Sequence, residues 1–241
     1  GTRRVRDVVL TPGEPQVGEG DVRIHRSLEL EGVSMRWPDG APLLTDVSLA
    51  VPVGRVTGLW GRSGTGKTTL VRFLNRTREP SAGRVLADGT PVEHFRLDGY
   101  RRAVAVFGGR TYLFTRTLGE NVLLGRCQSE PYRALGRLEE LGLDAFIERF
   151  PGRWSTPVGE TGRVLSEGER QVVGLMRALA EEPAALLVDE GIAGTDAELS
   201  RLMLETLCAY AKNHAVLLVS HDPRILARAD HLVLLGAGRV E

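Results

Sequence analysis

Gly61-Arg62-Ser63-Gly64-Thr65-Gly66-Lys67-Thr68 fits the spacing G-x-x-x-x-G-K-[ST], between the apolar run Val56-Thr57-Gly58-Leu59-Trp60 and a helical stripe of Leu70, Val71, Phe73 and Leu74. Strand, glycine-rich loop and helix follow in the order that a phosphate cradle requires. The glycines at 61, 64 and 66 permit a tight turn that aims several backbone N–H groups at one point, where a Cβ would obstruct phosphate oxygens. A helix opening at the end of the loop adds the positive end of its dipole. Lys67 has the reach to touch terminal phosphates, and Thr68 carries a hydroxyl suited to Mg²⁺. With the adjoining Thr69, these residues form the candidate nucleotide-binding stretch.

Outward from the loop, short apolar strands alternate with helices. Leu28 to Val33 alternates apolar and charged residues like a half-buried strand, and another strand is expected at about 43–53, after the turn Pro38-Asp39-Gly40. Gly83 to Asp88 reads as a strand ending in the Asp88-Gly89 turn, and Ala103 to Phe107 as a buried one. From about 117 to 149 the pattern is helical, with Leu135, Leu138, Leu141 and Leu143 broken by Gly142, and this insert is expected to offer one face to a partner. A core-facing helix begins near Ser166 and carries Val172, Leu175, Met176 and Leu179 on one stripe. Ala184 to Val188 and Ala215 to Val219 are too apolar to have a wet face, and the helix between them, after Asp196, shows Leu199, Leu202, Met203 and Leu207 at helical spacing. The pattern predicts an α/β fold whose largely parallel sheet is covered on both faces, with ligands at the C-terminal strand ends.

Asp189 and Glu190 end one of those buried strands, so two carboxylates are expected where a nucleotide would sit. Asp189 suits an indirect, water-mediated Mg²⁺ contact, and Glu190 suits polarising a water for in-line attack on a terminal phosphate. Ser166 and Glu169 have capping-box spacing, which marks a helix N-terminus. Lys and Arg total 31 and Asp and Glu total 31, so no overall basic field points to nucleic acid. Cys127 and Cys208 lie far apart without metal-ligand spacing and read as reduced thiols. No apolar run approaches the ~20 residues of a membrane span, so membrane contact is expected only through a partner or another part of the chain.

Leu165-Ser166-Glu167-Gly168-Glu169-Arg170-Gln171 resembles LSGGQRQ, the signature of the ATP-binding cassette (ABC) family, and the resemblance covers roughly residues 28–241. It implies a P-loop NTPase core with a mainly parallel sheet, an antiparallel β subdomain on the N-terminal side and a helical signature subdomain at about 110–182. It also implies ATP and Mg²⁺ as cofactors. Lys67, Glu190 and His221, which follows Ser220, take the catalytic positions, and Thr68 and Asp189 the metal positions. Trp37 resembles the aromatic that stacks on adenine. Ser166, Gly168 and Asp196 match residues that touch the ATP of a second such domain in a head-to-tail dimer, although Asp196 also suits a helix N-cap.

Thr156-Pro157-Val158-Gly159-Glu160-Thr161-Gly162 resembles the TxVGExG loop of ABC exporters, which implies contact with a transmembrane domain. Residues 1–27, rich in Arg, Gly, Glu and Pro, then read as a linker from a preceding membrane domain, with the cassette on the cytoplasmic side of the cell membrane. The implied function is ATP binding and hydrolysis that powers substrate translocation through ATP-driven dimerisation. The alternative is a soluble or regulatory ABC ATPase with weak hydrolysis. Three departures bear on activity. Gly109 stands where the family carries its Q-loop glutamine, which removes a contact to Mg²⁺ and water. Glu167 and Glu169 replace a glycine and a glutamine of the signature, bringing negative charge toward the partner's phosphate, with Arg170 placed to screen it. Gly191 to Asp196 departs from the PTSALD that usually follows the Asp-Glu pair.

Overall fold

A computed structural model of the chain describes residue 18 and residues 22–124, 130–159 and 162–240. The expected linker at 1–27, Cys127, and Glu160 and Thr161 of the exporter-type loop therefore lie wholly or largely outside the described residues.

The N-terminal part is an antiparallel sheet of β1 (Ser27–Arg36), β2 (Pro42–Pro52), β4 (Ala82–Ala87) and the short β5 (Thr90–Pro91), in the order β2-β1-β4-β5. Asp88, in the turn after β4, accepts backbone N–H bonds from His25, Arg26 and Ser27 at 2.7, 2.8 and 2.9 Å, which ties the entry of β1 to the end of β4.

The second sheet contains β3 (Val56–Trp60), β6 (Val104–Gly108), β9 (Ala185–Asp189), β10 (Ala215–Val219), β11 (His231–Gly236) and β12 (Arg239–Val240). Its order is β12-β11-β3-β10-β9-β6, parallel throughout except for the β11-β12 hairpin. A two-stranded ribbon, β7 (Arg116–Thr117) with β8 (Pro157–Val158), closes the base of the helical region.

The parallel strands are apolar throughout because both faces are covered. Leu186, Val188, Val216 and Leu218 point into one core, and Ala185, Leu187, Ala215, Leu217 and Val219 into the other. That alternation is the two-residue period of a strand read on both sides. Each fully buried leucine contributes about 1.5–3 kcal/mol by leaving water.

The second of these cores also holds Leu70, Val71, Phe73 and Leu74 of α1 (Lys67–Leu74), packed with the inward residues of the antiparallel sheet. Helix α2 (Leu97–Ala103) lies before β6, and its Tyr100 hydroxyl donates to the carbonyl oxygen of Leu74 at 2.6 Å. On the first face lie α3 (Leu118–Leu123), α4 (Pro131–Leu138), α5 (Asp144–Ile147), α6 (Glu167–Leu179) and α7 (Ala197–Ala211). The short α8 (Pro223–Leu226) leads into β11.

The leucine stripe of the helical insert packs into the chain's own core. Leu138 and Leu143 are fully buried in the chain's own core, and Leu135 and Leu141 pack against it. Gly142, at φ 88°, turns the chain between α4 and α5.

Candidate functional site

Four loops meet at the C-terminal ends of the parallel strands because β3, β10, β9 and β6 are consecutive neighbours in the sheet. The glycine-rich loop follows β3, Asp189 and Glu190 end β9, His221 follows β10, and Gly109 follows β6. Between them lies a cleft of about 580 Å³, a volume within the range of small-molecule sites. Ser63, Gly64, Gly66, Lys67, Thr68 and Thr69 line it from the loop side, and Asp189 and Glu190 from the sheet side. Trp37, 48% exposed and held in a turn by hydrogen bonds with Ala41 and Gly40, closes the rim.

The loop is shaped as the sequence predicts, with one difference. Gly64 and Gly66 have φ of 82° and 103°, a backbone region that glycine enters without cost. Nothing lies within 4 Å of a Cβ built on Gly64, so that side of the loop is open for a ligand. A Cβ on Gly66 would meet Leu44 Cδ2 at 2.8 Å, and one on Gly61 would meet the Leu235 carbonyl oxygen at 2.6 Å. Those two glycines make room for the protein itself. Gly61, Arg62 and Thr65 do not line the cleft. Arg62 and Thr65 shape the loop instead, through a Thr65 hydroxyl bond to the Arg62 carbonyl at 2.9 Å.

Lys67 is only 6% exposed, and its Nζ donates to the carbonyl oxygens of Gly61 at 2.7 Å and Arg62 at 3.0 Å. The ammonium braces the turn from inside. Helix α1 starts at this residue with no side-chain cap, so its first N–H groups are left to a ligand.

Burial pushes the Asp189 carboxyl above its ordinary range, and the neighbouring Glu190 charge adds to the effect against a hydrogen bond from Thr68 and the charge of Lys67. Thr68 and Asp189 thus bring two hard oxygen atoms together beside the loop. That donor set fits Mg²⁺, which takes one or two protein oxygens and completes its shell with waters and phosphate oxygens. Among the described residues no group of three or more His, Cys, Asp or Glu side chains is clustered for a protein-only metal cage. Glu190 has φ 58° and a half-exposed side chain, and its Oε1 lies 3.2 Å from Nδ1 of His221. Glu190 lines the cleft, whereas His221 is not among its lining residues and meets it only through Glu190.

The three residues assigned to a second subunit's ATP lie elsewhere. Ser166, Gly168 and Asp196 do not line this cleft. Ser166 caps α6: its Oγ accepts from Glu169 N at 3.1 Å, while Ser166 N donates to Glu169 Oε2 at 2.8 Å. Gly168 is buried, and a Cβ there would meet Leu199 Cδ1 at 2.9 Å. The room it provides on that side is taken by α7 within the chain. Asp196 Oδ1 accepts from Leu199 N at 2.9 Å and caps α7.

Three residues lining the cleft carried no role in the sequence reading: Leu43, Arg110 and Gln171. Gln171 stood in the signature stretch and was legible there as a motif letter only. Its approach to Gly109 needs the fold.

A family model described as "ABC transporter" matches residues 44–193. The chain is 34% identical over 232 residues to the ATP-dependent lipid A-core flippase of Methylococcus capsulatus, which covers 90% of this chain and 37% of the relative. It is 29% identical over 244 residues to the heterocyst differentiation ATP-binding protein HepA of Nostoc sp., covering 99% of this chain and 40% of that protein. A solved structure of a bacterial Atm1-family ABC exporter with ATP bound superposes with a TM-score of 0.82 at 27% identity, covering 99% of this chain and 42% of that one. The chain therefore spans about two fifths of the length of the proteins it matches.

Proposed function

The chain belongs to the ABC transporter family, and from that premise we propose that it binds Mg-ATP in the cleft beside Lys67 and hydrolyses it, driving an exporter's membrane domain. The observation that carries the proposal is the convergence of the glycine-rich loop, Asp189, Glu190 and the contacting His221 at one end of one sheet.

In this reading the triphosphate lies along the loop, with its oxygens on the N–H groups at the start of α1 and on Lys67 Nζ. Trp37 stacks on the adenine from the rim. Mg²⁺, when bound, is held by Thr68 and Asp189 and neutralises charge on the phosphates. Glu190 accepts a proton from the attacking water as its oxygen bonds to the terminal phosphorus and the bond to the leaving diphosphate breaks. His221 orients Glu190 and donates toward the phosphoryl oxygens.

Ser166, Gly168 and Asp196 take the partner-facing role only in a head-to-tail dimer of two cassettes. No helix among the described residues is long and apolar enough to cross a membrane, so translocation requires a transmembrane domain. A groove lined by Tyr112, Leu113, Val164 and Leu165 together with the charged Arg110, Glu167 and Arg170 includes Gly159 of the exporter-type loop and is suited to an amphipathic helix from such a domain. The cassette then works on the cytoplasmic side of the cell membrane.

The test is to measure ATP-induced dimerisation and phosphate release together. Both are expected, and Glu190→Gln is expected to keep the first and lose the second. Dimerisation with no release in the wild type would favour the regulatory reading. Absence of both would remove the assignment.

A further inference from the structure

The cleft contains a polar group that the mechanism above does not use. Gln171 lies one turn into α6, is 9% exposed and lines the same cleft as Lys67, Thr68, Asp189 and Glu190. Its Nε2 donates to the carbonyl oxygen of Gly109 at 3.1 Å. Its Oε1 is buried and has no hydrogen-bond partner. The amide cannot simply be turned over, because that would set Oε1 against the Gly109 carbonyl. A buried carbonyl oxygen left without a donor is costly, so the arrangement is expected to be completed by something that enters the cleft.

Gly109 has no side chain to fill that space. It stands at φ 74°, and nothing lies within 4 Å of a Cβ built on it. A main-chain carbonyl at this position therefore holds the amide of a residue from a different element. We propose that Gln171 is a positioning residue of the nucleotide site, its Oε1 accepting a hydrogen bond from a water in the cleft and so supplying from α6 the polar contact that residue 109 lacks. The water is held either on the metal or in line with the terminal phosphate. This inference rests on the Mg-ATP reading of the cleft.

The test uses Gln171→Met, which keeps length and removes both polar atoms, in the chain carrying all other residues unchanged. Binding of a non-hydrolysable ATP analogue is titrated with and without Mg²⁺, and phosphate release is measured in a single turnover with ATP. A rise of about tenfold in the Mg²⁺ concentration needed for half-maximal binding, with metal-free affinity unmoved, identifies a metal-held water. A single-turnover rate about tenfold lower at saturating Mg²⁺, with the metal dependence unmoved, identifies the attacking water. Either result supports the proposal.

Unchanged constants overturn the proposal. Equal weakening with and without Mg²⁺ together with a lowered Tm also overturns it, since that is the mark of a structural role. Wild-type protein that retains no analogue under either condition overturns the Mg-ATP reading itself and this inference with it.

Discussion

Replacing Lys67 with alanine should weaken ATP binding less than a count of its phosphate contacts suggests, because the free protein already employs the ammonium. Nζ donates to two loop carbonyls at 2.7 and 3.0 Å, and an arriving polyphosphate must replace those bonds. Charge-assisted hydrogen bonds contribute about 1.5–3 kcal/mol each, so two lost and two gained nearly offset. What remains is the attraction between one positive charge and the polyphosphate, about 4 kcal/mol for a single pair at 4 Å and an effective dielectric of 20, before screening. A net loss of about 2–3 kcal/mol follows, on the order of 30- to 150-fold in Kd. The variant also strips two carbonyls of their donor in the nucleotide-free protein, at about 1–3 kcal/mol in total where water only partly replaces it, which lowers Tm by several degrees. Calorimetric titration with a non-hydrolysable analogue gives the first quantity, and scanning calorimetry without nucleotide gives the second. A Kd within threefold of wild type would refute the role given to the ammonium. Weakened binding with an unmoved Tm would refute the bracing of the loop.

Glu190→Gln is expected to cut single-turnover phosphate release by about 10²- to 10⁴-fold while leaving analogue affinity within about threefold, because the amide cannot accept the water's proton. Gly66→Ala should destabilise more than Gly64→Ala: both positions have left-handed backbone costing about 1–2 kcal/mol, but only the first adds a clash with Leu44, and thermal unfolding of the two variants ranks them. Asp88→Ala tests the clamp between β1 and β4. Burial raises the carboxyl, but three backbone N–H bonds outweigh it and hold the group below its ordinary value. A depressed carboxylate stabilises above its unfolded pKa of about 3.9 and loses that contribution as pH falls through the folded value. The variant should therefore cost about 1–2 kcal/mol at pH 7, allowing for solvent around a partly exposed group, and less at pH 2. Urea unfolding at the two pH values measures the difference, and an equal cost at both would show that the charge is irrelevant.

The fold was legible where periodicity was strong. Ala185 to Val188 and Ala215 to Val219 read as strands buried on both faces, and they are. Strand β11 escaped that reading although Leu232 to Leu235 is as continuously apolar, with Val233 and Leu235 buried and Leu232 and Leu234 exposed. Its signal is the hairpin turn at Ala237 and Gly238, with φ of 46° and 76°, which sets up β12. The loop residues of the site were legible because the chain supplies them consecutively. The contact between Gln171 and Gly109 was not, the two being 62 residues apart and joined only when α6 packs beside the end of β6. The glycines show the limit of reading spacing alone. Gly61 and Gly168 sit in ligand-binding motifs, yet the atoms that a Cβ would strike belong to Leu235 and Leu199 of the same chain.

The two glutamates of the signature stretch illustrate how geometry changes the weight of a substitution. Read as charges at a helix N-terminus, Glu167 and Glu169 oppose an approaching phosphate. In the folded chain Glu167 Oε2 lies 2.6 Å from Arg170 Nη2, and Glu169 Oε1 lies 3.1 Å from Arg163 Nη2. Arg170 therefore screens one glutamate only, and the other depends on Arg163, which the motif does not include. Glu169 is also the buried half of the capping box, with Oε2 on Ser166 N. Its charge is committed to the first turn of α6, where it satisfies a backbone donor and complements the helix dipole. The exposed Ser166 hydroxyl accepts from Glu169 N, and its own proton stays available to an acceptor outside the chain. Each glutamate is thus matched by an arginine within the chain, and the end of α6 keeps an exposed hydroxyl, which is what the proposed head-to-tail dimer would need there.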